Sequence, residues 1–187
     1  MNESIIESFP ESEVLTDVKS EQVRIIFAST PTSLFTILLS SFILSAVLWE
    51  VIEPATIITW FCLTNLLSAI RLFLYYQFRK LPFESLVSDI WQQRAITTSI
   101  ASGITWGAGG ILLFSEQSMV HQVFLAFMIG GICAGAITTL SAITAAVRGF
   151  VLVALIPIII KFNLVESAIS LEMTILSILF MVMILVL

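Results

Sequence analysis

The residues of this chain that could contact a ligand lie inside long apolar segments. They are one guanidinium, one amide and two indoles: Arg71, Asn65, Trp60 and Trp106. A charged side chain within a membrane segment is costly and often marks a functional site, so Arg71 could pair with an anionic ligand. The alternatives are a structural contact or extension to the lipid headgroups, because Arg79 follows eight residues later, about 12 Å along a helix.

The amide and the indoles each have a structural interpretation beside the ligand interpretation. Asn65 can hydrogen-bond to a neighbouring helix, which is a common role for an amide in a membrane, or it can contact a ligand. Trp106 lies among glycines, which leave room beside its ring, so it is the better candidate for the wall of a pocket. Trp60 supplies aromatic surface in the same half of the bilayer, whereas Trp49 is typical of an anchor at the membrane–water interface.

Two pairs of glycines at a spacing of four predict close helix packing. Gly103 and Gly107 lie in the third apolar segment, and Gly131 and Gly135 lie in the fourth. Small residues at this spacing let helix backbones approach closely in lipid, where no hydrophobic force drives association. The pattern predicts that the third and fourth helices pack against each other. Simple tolerance of glycine, or contact between two copies of the chain, are the alternatives.

Residues that could perform catalysis or bind a metal do not form a recognisable set in the sequence. Glu50, Glu53 and Glu172 all lie near predicted helix ends, so no pair of carboxylates falls within a span. His121 is the only histidine, and transition-metal sites need several nitrogen or sulfur donors. The sequence has no nucleophile–base set and no phosphate-binding glycine loop. We therefore expect no catalytic residue, no metal and no cofactor in this segment.

The composition is that of a membrane protein. Of 187 residues, 58% are hydrophobic and 11% are charged, and the mean hydropathy is +1.07. Soluble domains are about a quarter charged, so a water-soluble globule would lack the ionic side chains to cover its surface. The net charge of −5 reflects an acidic leader, since six of the thirteen acidic residues precede residue 22. No basic cluster suggests a nucleic-acid partner, and the lipid bilayer is the expected surroundings.

Six apolar segments could each cross a bilayer, because about twenty apolar residues in a helix span its hydrocarbon core. They are residues 33–51, 55–78, 95–114, 120–143, 150–162 and 170–187. A different division of residues 120–162 would change the count to five or seven. Helical spacing of apolar residues in 13–28 predicts a short amphipathic helix at the membrane surface, or else a solvated helix on a soluble domain. The predicted fold is all-α, with a leader at 1–30 and a six-helix membrane domain at 31–187.

The distribution of lysine and arginine predicts that both termini lie in the cytoplasm. With the intramembrane Arg71 set aside, six of these residues fall on the side of the N-terminus, and Lys161 alone falls on the other side. Cytoplasmic loops carry the excess of positive charge, and the predicted external loops are short. Residues 178–187 form an apolar run without a flanking charge, from which we expect that the chain continues into a further cytoplasmic region.

Several scattered stretches resemble a known class of bacterial membrane domain. They are EQVRIIFASTP at 21–31, Trp49 at the end of the first span, RLF at 71–73, GITWG at 103–107 and GAITTLSA at 135–142. Together they extend over nearly all of residues 21–187 and resemble the N-terminal membrane-associated sensor (MASE-like) domains of bacterial signalling proteins. Such domains precede PAS, GGDEF, EAL or histidine-kinase modules. The resemblance implies a place in the bacterial inner membrane and a cytoplasmic output domain after residue 187.

The resemblance also implies a sensory role for this segment. A small-molecule or membrane cue of unknown identity would bias two packings of the helix bundle, and the sixth helix would carry the change to the output domain. The most common output is cyclic-di-GMP turnover, so any diguanylate cyclase or phosphodiesterase activity would belong to that domain. Because such cyclases join two half-sites, a homodimer is implied. The alternatives are the input domain of a sensor histidine kinase, a small transporter or channel, and a subunit that only anchors a partner.

Overall fold

The computed structural model describes residues 11–80, 89–165 and 170–186, with side chains from residue 18 onward. Every regular element in these ranges is a helix, which confirms the all-α prediction. The helices are α1 (Glu11–Leu48), α2 (Pro54–Phe78), α3 (Asp89–Leu112), α4 (Met119–Leu140), α5 (Thr144–Leu164) and α6 (Ser170–Val186). The first ten residues of the predicted leader, and residues 81–88 of the predicted polar link between the second and third spans, lie outside the described residues.

Four helices are long and apolar enough to cross a membrane, which indicates a membrane protein. They are residues Val18–Leu48 of α1, together with α2, α4 and α5. α6 is also apolar but shorter, at 17 residues. α3 is not in this group because serine, threonine and glycine lower its hydropathy. Since α3 contacts α1, α2, α4 and α5, its small and polar residues serve contact with protein rather than with lipid.

The amphipathic helix and the first span, predicted as separate elements, form a single helix of 38 residues that contains Pro31. Proline is tolerated in membrane helices where nearby hydroxyl groups help to satisfy the backbone. The hydroxyls of Ser29 and Thr30 both donate to the carbonyl of Ile26, at 2.9 and 3.1 Å. The hydroxyl of Ser33 donates to the carbonyl of Thr30 at 2.9 Å. The predicted domain boundary at residues 30–31 is therefore not the end of a helix.

Part of the apolar stripe on the N-terminal half of α1 is covered by protein. Val23, Ile26 and Phe27 are each no more than 5% exposed. The ring of Phe27 stacks on that of Phe78 with 4.3 Å between centroids, and both rings meet Trp91 edge to face. This aromatic cluster joins α1 to the end of α2 and the start of α3. The predicted stripe is therefore buried against protein at these three positions, whereas Val18 and Ile25, which belong to the same stripe, are 50% and 47% exposed.

α3 packs closely on α5, and two glycines make the approach possible. A Cβ atom added at Gly103 would lie 2.6 Å from both the carbonyl oxygen of Phe150 and Cγ2 of Val153, where ordinary contacts begin at 3.4 Å. A Cβ atom added at Gly107 would come closer still to the carbonyl oxygen of Val153, and within 3.0 Å of Cγ of Pro157. The two helices therefore meet at backbone distance.

The prediction that the two glycine pairs join α3 to α4 is wrong. Gly103 and Gly107 face α5, and a Cβ atom added at Gly131 or Gly135 would have no atom within 4 Å. The spacing of small residues identifies a helix face that permits close approach, but it does not identify the helix opposite. The partner depends on how all six helices are arranged, and here the α4 glycines border open space.

α6 lies at the edge of the bundle and packs chiefly on α5. The hydroxyl of Ser170 donates to the carbonyl of Phe162 at 2.9 Å and so ties the start of α6 to the end of α5. Ser170, Thr174 and Ile184 are buried, whereas most of the large apolar side chains of α6 are exposed, as expected for a helix in contact with lipid. α6 is thus attached to the bundle mainly along one side.

Candidate functional site

Arg71 is a buried cation without a carboxylate partner in the described part of the chain. The residue is 9% exposed, and its Nη1 donates to the hydroxyl of Ser102 on α3 at 3.4 Å, a long hydrogen bond. The ion pairs among the described residues lie elsewhere: Lys19–Asp89, Arg24–Glu21 and Lys161–Glu116. A guanidinium has five N–H donors, so most of those of Arg71 remain unused. The side chain of Arg71 is enclosed by protein, where it contacts α3.

A cavity of about 170 Å³ lies beside Arg71, between α1, α4 and α5. Hydroxyl side chains of α1 and α4 form its polar wall, namely Thr32, Ser33, Thr36, Thr138 and Thr139. The apolar wall includes Ile37, Ile132, Leu140 and Phe150. A cavity near this volume holds a group about as large as benzene, so a small ligand fragment fits beside the guanidinium.

The cavity opens sideways between α1 and α4. Thr32 and Thr36 on one helix and Gly135 on the other are exposed, whereas Arg71 is buried. Because Gly131 and Gly135 have no side chains, nothing on this face of α4 closes the opening. α1 and α4 are both long enough and apolar enough to cross a membrane, so the mouth of the cavity lies between two candidate membrane-spanning helices.

The structure places Trp60 and Trp106 in the packed core. They are 1% and 0% exposed, and their rings meet edge to face with 5.4 Å between centroids. Nε1 of Trp60 donates to the carbonyl of Thr105 at 2.8 Å, and a Cβ atom added at Gly109 would lie 2.6 Å from that nitrogen. Nε1 of Trp106 is buried and has no hydrogen-bond partner among the residues that the structure describes. Neither indole lines the cavity at Arg71, because ring and backbone fill the space that the glycines leave.

Asn65 connects α2 to α1. Its Nδ2 donates to the carbonyl of Phe61 at 2.8 Å and to the hydroxyl of Ser41 at 3.3 Å. This is the interhelical contact expected of an amide in a membrane. Asn65 does not line the cavity, so among the four predicted ligand candidates Arg71 is the one that the structure places there.

His121 lies in the first turn of α4, and its Nδ1 is 2.6 Å from the hydroxyl oxygen of Ser118. Among the described residues, no three histidine, cysteine, aspartate or glutamate side chains come together in a way that could hold a metal ion.

Sequence reasoning missed the hydroxyl groups that line the cavity. Thr32 and Thr36 are one helical turn apart on α1, while Thr138 and Thr139 are adjacent on α4, about a hundred residues away. A row of hydroxyls in an apolar span is a visible signal. It is a weak signal, however, because such side chains in membrane helices usually bond to their own backbone.

A second, apolar cavity of about 510 Å³ lies on the other side of α4, against α5 and α6. We call it the α6 groove, and its walls include Ala134, Phe127 and Phe180. Gly131 lines both this groove and the cavity at Arg71, so the α4 backbone alone separates the two spaces at that position. A displacement of α4 at Gly131 would therefore change both spaces together.

Comparisons with known proteins assign no family to this chain. No family model matches it, and neither does any curated protein or solved structure. The function proposed below rests on the cavity at Arg71 and on the arrangement of the helices.

Proposed function

We propose that this chain is a sensory domain embedded in the bacterial inner membrane, with six crossings and both termini in the cytoplasm. The observation that carries the proposal is the buried guanidinium of Arg71 beside a cavity that opens between two candidate membrane-spanning helices. An isolated buried charge is costly, and in membranes such residues usually pair with another group. A partner that arrives from outside the chain would make the stability of one helix arrangement depend on a cue.

The shared position of Gly131 suggests how binding at Arg71 would reach α6. A ligand that fills the cavity presses on α4 at Gly131, and the α6 groove lies directly behind that residue. α6 packs chiefly on α5, so it can shift into or out of the groove with few contacts broken. A ligand can favour one packing over another only through a difference in affinity, so the proposal requires that the cavity differ in shape between the two packings.

The proposed output lies in a cytoplasmic domain after residue 187. Following the resemblance to MASE-like domains, that output is cyclic-di-GMP turnover by paired GGDEF or EAL modules in a homodimer, with α6 as the connecting helix. A sensor histidine kinase would use the same connection. In either case this segment binds and transmits, and the enzymatic activity belongs to the output domain.

The continuity of the helices favours a sensor over a transporter. Transporters commonly bind substrate where helices are interrupted near the middle of the membrane. Proline and glycine are the residues at which a helix is most easily interrupted, yet α3 and α4 continue unbroken through their glycines and α5 continues through Pro157.

Reporter fusions can decide between six crossings and four, because α3 and α6 are the two helices whose crossing is at issue. With six crossings, residue 116 lies in the periplasm and residue 142 in the cytoplasm; if α3 does not cross, these positions are reversed. We expect alkaline phosphatase to be active when fused after residue 116, and green fluorescent protein to be fluorescent after residues 142 and 187. Active phosphatase after residue 187 would contradict the proposed cytoplasmic output.

Filling the α6 groove should alter the output of the full-length protein. Ala134 lines the groove but not the cavity at Arg71, so Ala134→Leu occupies space beside α6 and leaves the ligand cavity intact. We expect cyclic-di-GMP turnover by the purified full-length protein in lipid nanodiscs to change several-fold, because the substitution favours one position of α6. Phe35→Leu, at a residue 67% exposed on α1, is the matched control and should leave turnover unchanged.

If the domain is only an anchor, the opposite result is expected. If this domain only holds a partner at the membrane, output stays the same in Ala134→Leu and also in a chimera that carries an unrelated six-span anchor in place of residues 31–187. That pair of results would overturn the sensory proposal.

A further inference from the structure

The chemistry of the cavity at Arg71 indicates that its ligand is an anion. Guanidinium N–H groups are the main free donors there, because four of the five surrounding hydroxyls already donate to backbone carbonyls of their own helices. Thr36 donates to Thr32 at 3.1 Å, and Thr138 donates to Gly135 at 2.8 Å. The planar fork of a guanidinium matches the two oxygens of a carboxylate or a phosphate, and such charge-assisted pairs are the strong ones. One cation without a second nearby suits a group with a single negative charge.

The size and the opening of the cavity indicate that the anion carries an apolar chain. About 170 Å³ accommodates a headgroup and the first few carbon atoms, and no more. The wall beyond Arg71 is apolar at Ile37, Ile132 and Phe150. The mouth lies between two apolar spans at the open face of Gly131 and Gly135, so the remainder of a longer ligand can extend into the bilayer. The apolar wall would not stabilise a free inorganic anion, and such an anion would have to cross lipid to enter the cavity.

We infer that the cavity at Arg71 binds the head of an amphiphilic anion, a carboxylate or phosphate on an acyl chain, which enters sideways from the membrane between α1 and α4. This inference rests on the proposed sensory function, for which it names the class of cue. The ligand could be a free fatty acid or an anionic phospholipid, since both present the same chemistry to the guanidinium.

Native mass spectrometry of the detergent-purified chain can measure this binding with defined probes. Oleate and phosphatidylglycerol are titrated beside their neutral counterparts, oleyl alcohol and phosphatidylcholine, and beside inorganic phosphate. We expect one equivalent of oleate or of phosphatidylglycerol to bind at least tenfold more tightly than its neutral counterpart. Preference for oleate identifies a fatty-acid site, and preference for phosphatidylglycerol identifies a phospholipid site.

Three substitutions locate the binding. Arg71→Gln should weaken it at least tenfold, while Arg79→Gln, which removes one exposed charge at the end of the same helix, should not. Gly135→Leu should block the mouth, and it should fold because a Cβ atom there meets nothing within 4 Å. Ala134→Leu, which leaves the residues that line the cavity unchanged, should keep the preference for anionic over neutral probes. If Arg71→Gln does not fold, the binding measured with Gly135→Leu still tests the inference.

The inference is overturned if neutral and anionic probes bind equally, if inorganic phosphate alone binds, or if Gly135→Leu binds oleate and phosphatidylglycerol as the unmodified chain does. It is also overturned if Gly135→Leu converts a dimer to a monomer without changing anion binding, because the mouth is then an interface between two copies. Anion binding that depends on Arg71 but leaves output of the full-length protein unchanged supports this inference and overturns the sensory function. If the output responds to another cue and no anion binds, the sensory function is supported and this inference is overturned.

Discussion

Replacing Gly107 with leucine is expected to destabilise the folded bundle by at least about 3 kcal/mol, and the chain should accumulate poorly in the membrane as a result. The first carbon of the new side chain would overlap the backbone carbonyl of Val153 on α5 and press on Pro157. Neither group is the flexible end of a side chain, so the clash can be relieved only by separating α3 from α5. In lipid this is especially damaging, because close packing is the main force that holds membrane helices together.

The control for this prediction is the second glycine pair. Gly135→Leu adds the same side chain to the same kind of sequence motif, but it adds it where no atom lies within 4 Å. Thermal unfolding in detergent, followed by loss of monodisperse protein on size exclusion, should show a large drop in midpoint for Gly107→Leu and little change for Gly135→Leu. Equal losses in the two variants would mean that leucine disturbs both helices for a reason other than the α3–α5 contact.

This contrast shows which part of the fold the sequence determines. The apolar segments are long enough to mark the helices, and the helix bounds differ from the predicted ones by a few residues at most places. The exception is α1, where Pro31 lies inside a helix because the neighbouring hydroxyls bond to backbone carbonyls. Helix contacts are less predictable. In water the buried face of a helix is apolar, whereas in lipid both faces can be apolar, so hydrophobic periodicity does not indicate which side meets protein.

The candidate site, like the helix contacts, could be predicted only in part from the sequence. Arg71 is conspicuous because a charge inside an apolar span is rare, and that rarity does not depend on the fold. The cavity beside it is a property of three helices, and its hydroxyls come from parts of the chain about a hundred residues apart. Trp106 illustrates the converse. Its glycine neighbours suggested free space in the sequence, but α5 occupies that space in the structure.

Removing the side chain of Trp60 is expected to cost about 3–5 kcal/mol, the range for truncating a fully buried tryptophan. The residue is 1% exposed, its ring packs against Trp106, and its Nε1 donates to the carbonyl of Thr105 at 2.8 Å. Trp60→Ala therefore removes an aromatic contact between α2 and α3 and leaves a void beside Gly109. The unfolding midpoint in detergent should fall steeply, and Trp49→Ala, at a residue 47% exposed, should have little effect.

Replacing each buried tryptophan with phenylalanine distinguishes the contribution of packing from that of hydrogen bonding. Trp60→Phe keeps much of the ring but loses the donor to Thr105, which adds about 1 kcal/mol to the packing loss. Trp106→Phe loses a similar volume but no hydrogen bond, because Nε1 of Trp106 has no partner. We therefore expect Trp60→Phe to lower the unfolding midpoint more than Trp106→Phe does. The opposite order would indicate that a buried water molecule pairs with Nε1 of Trp106, which would make this indole part of a polar network within the bundle.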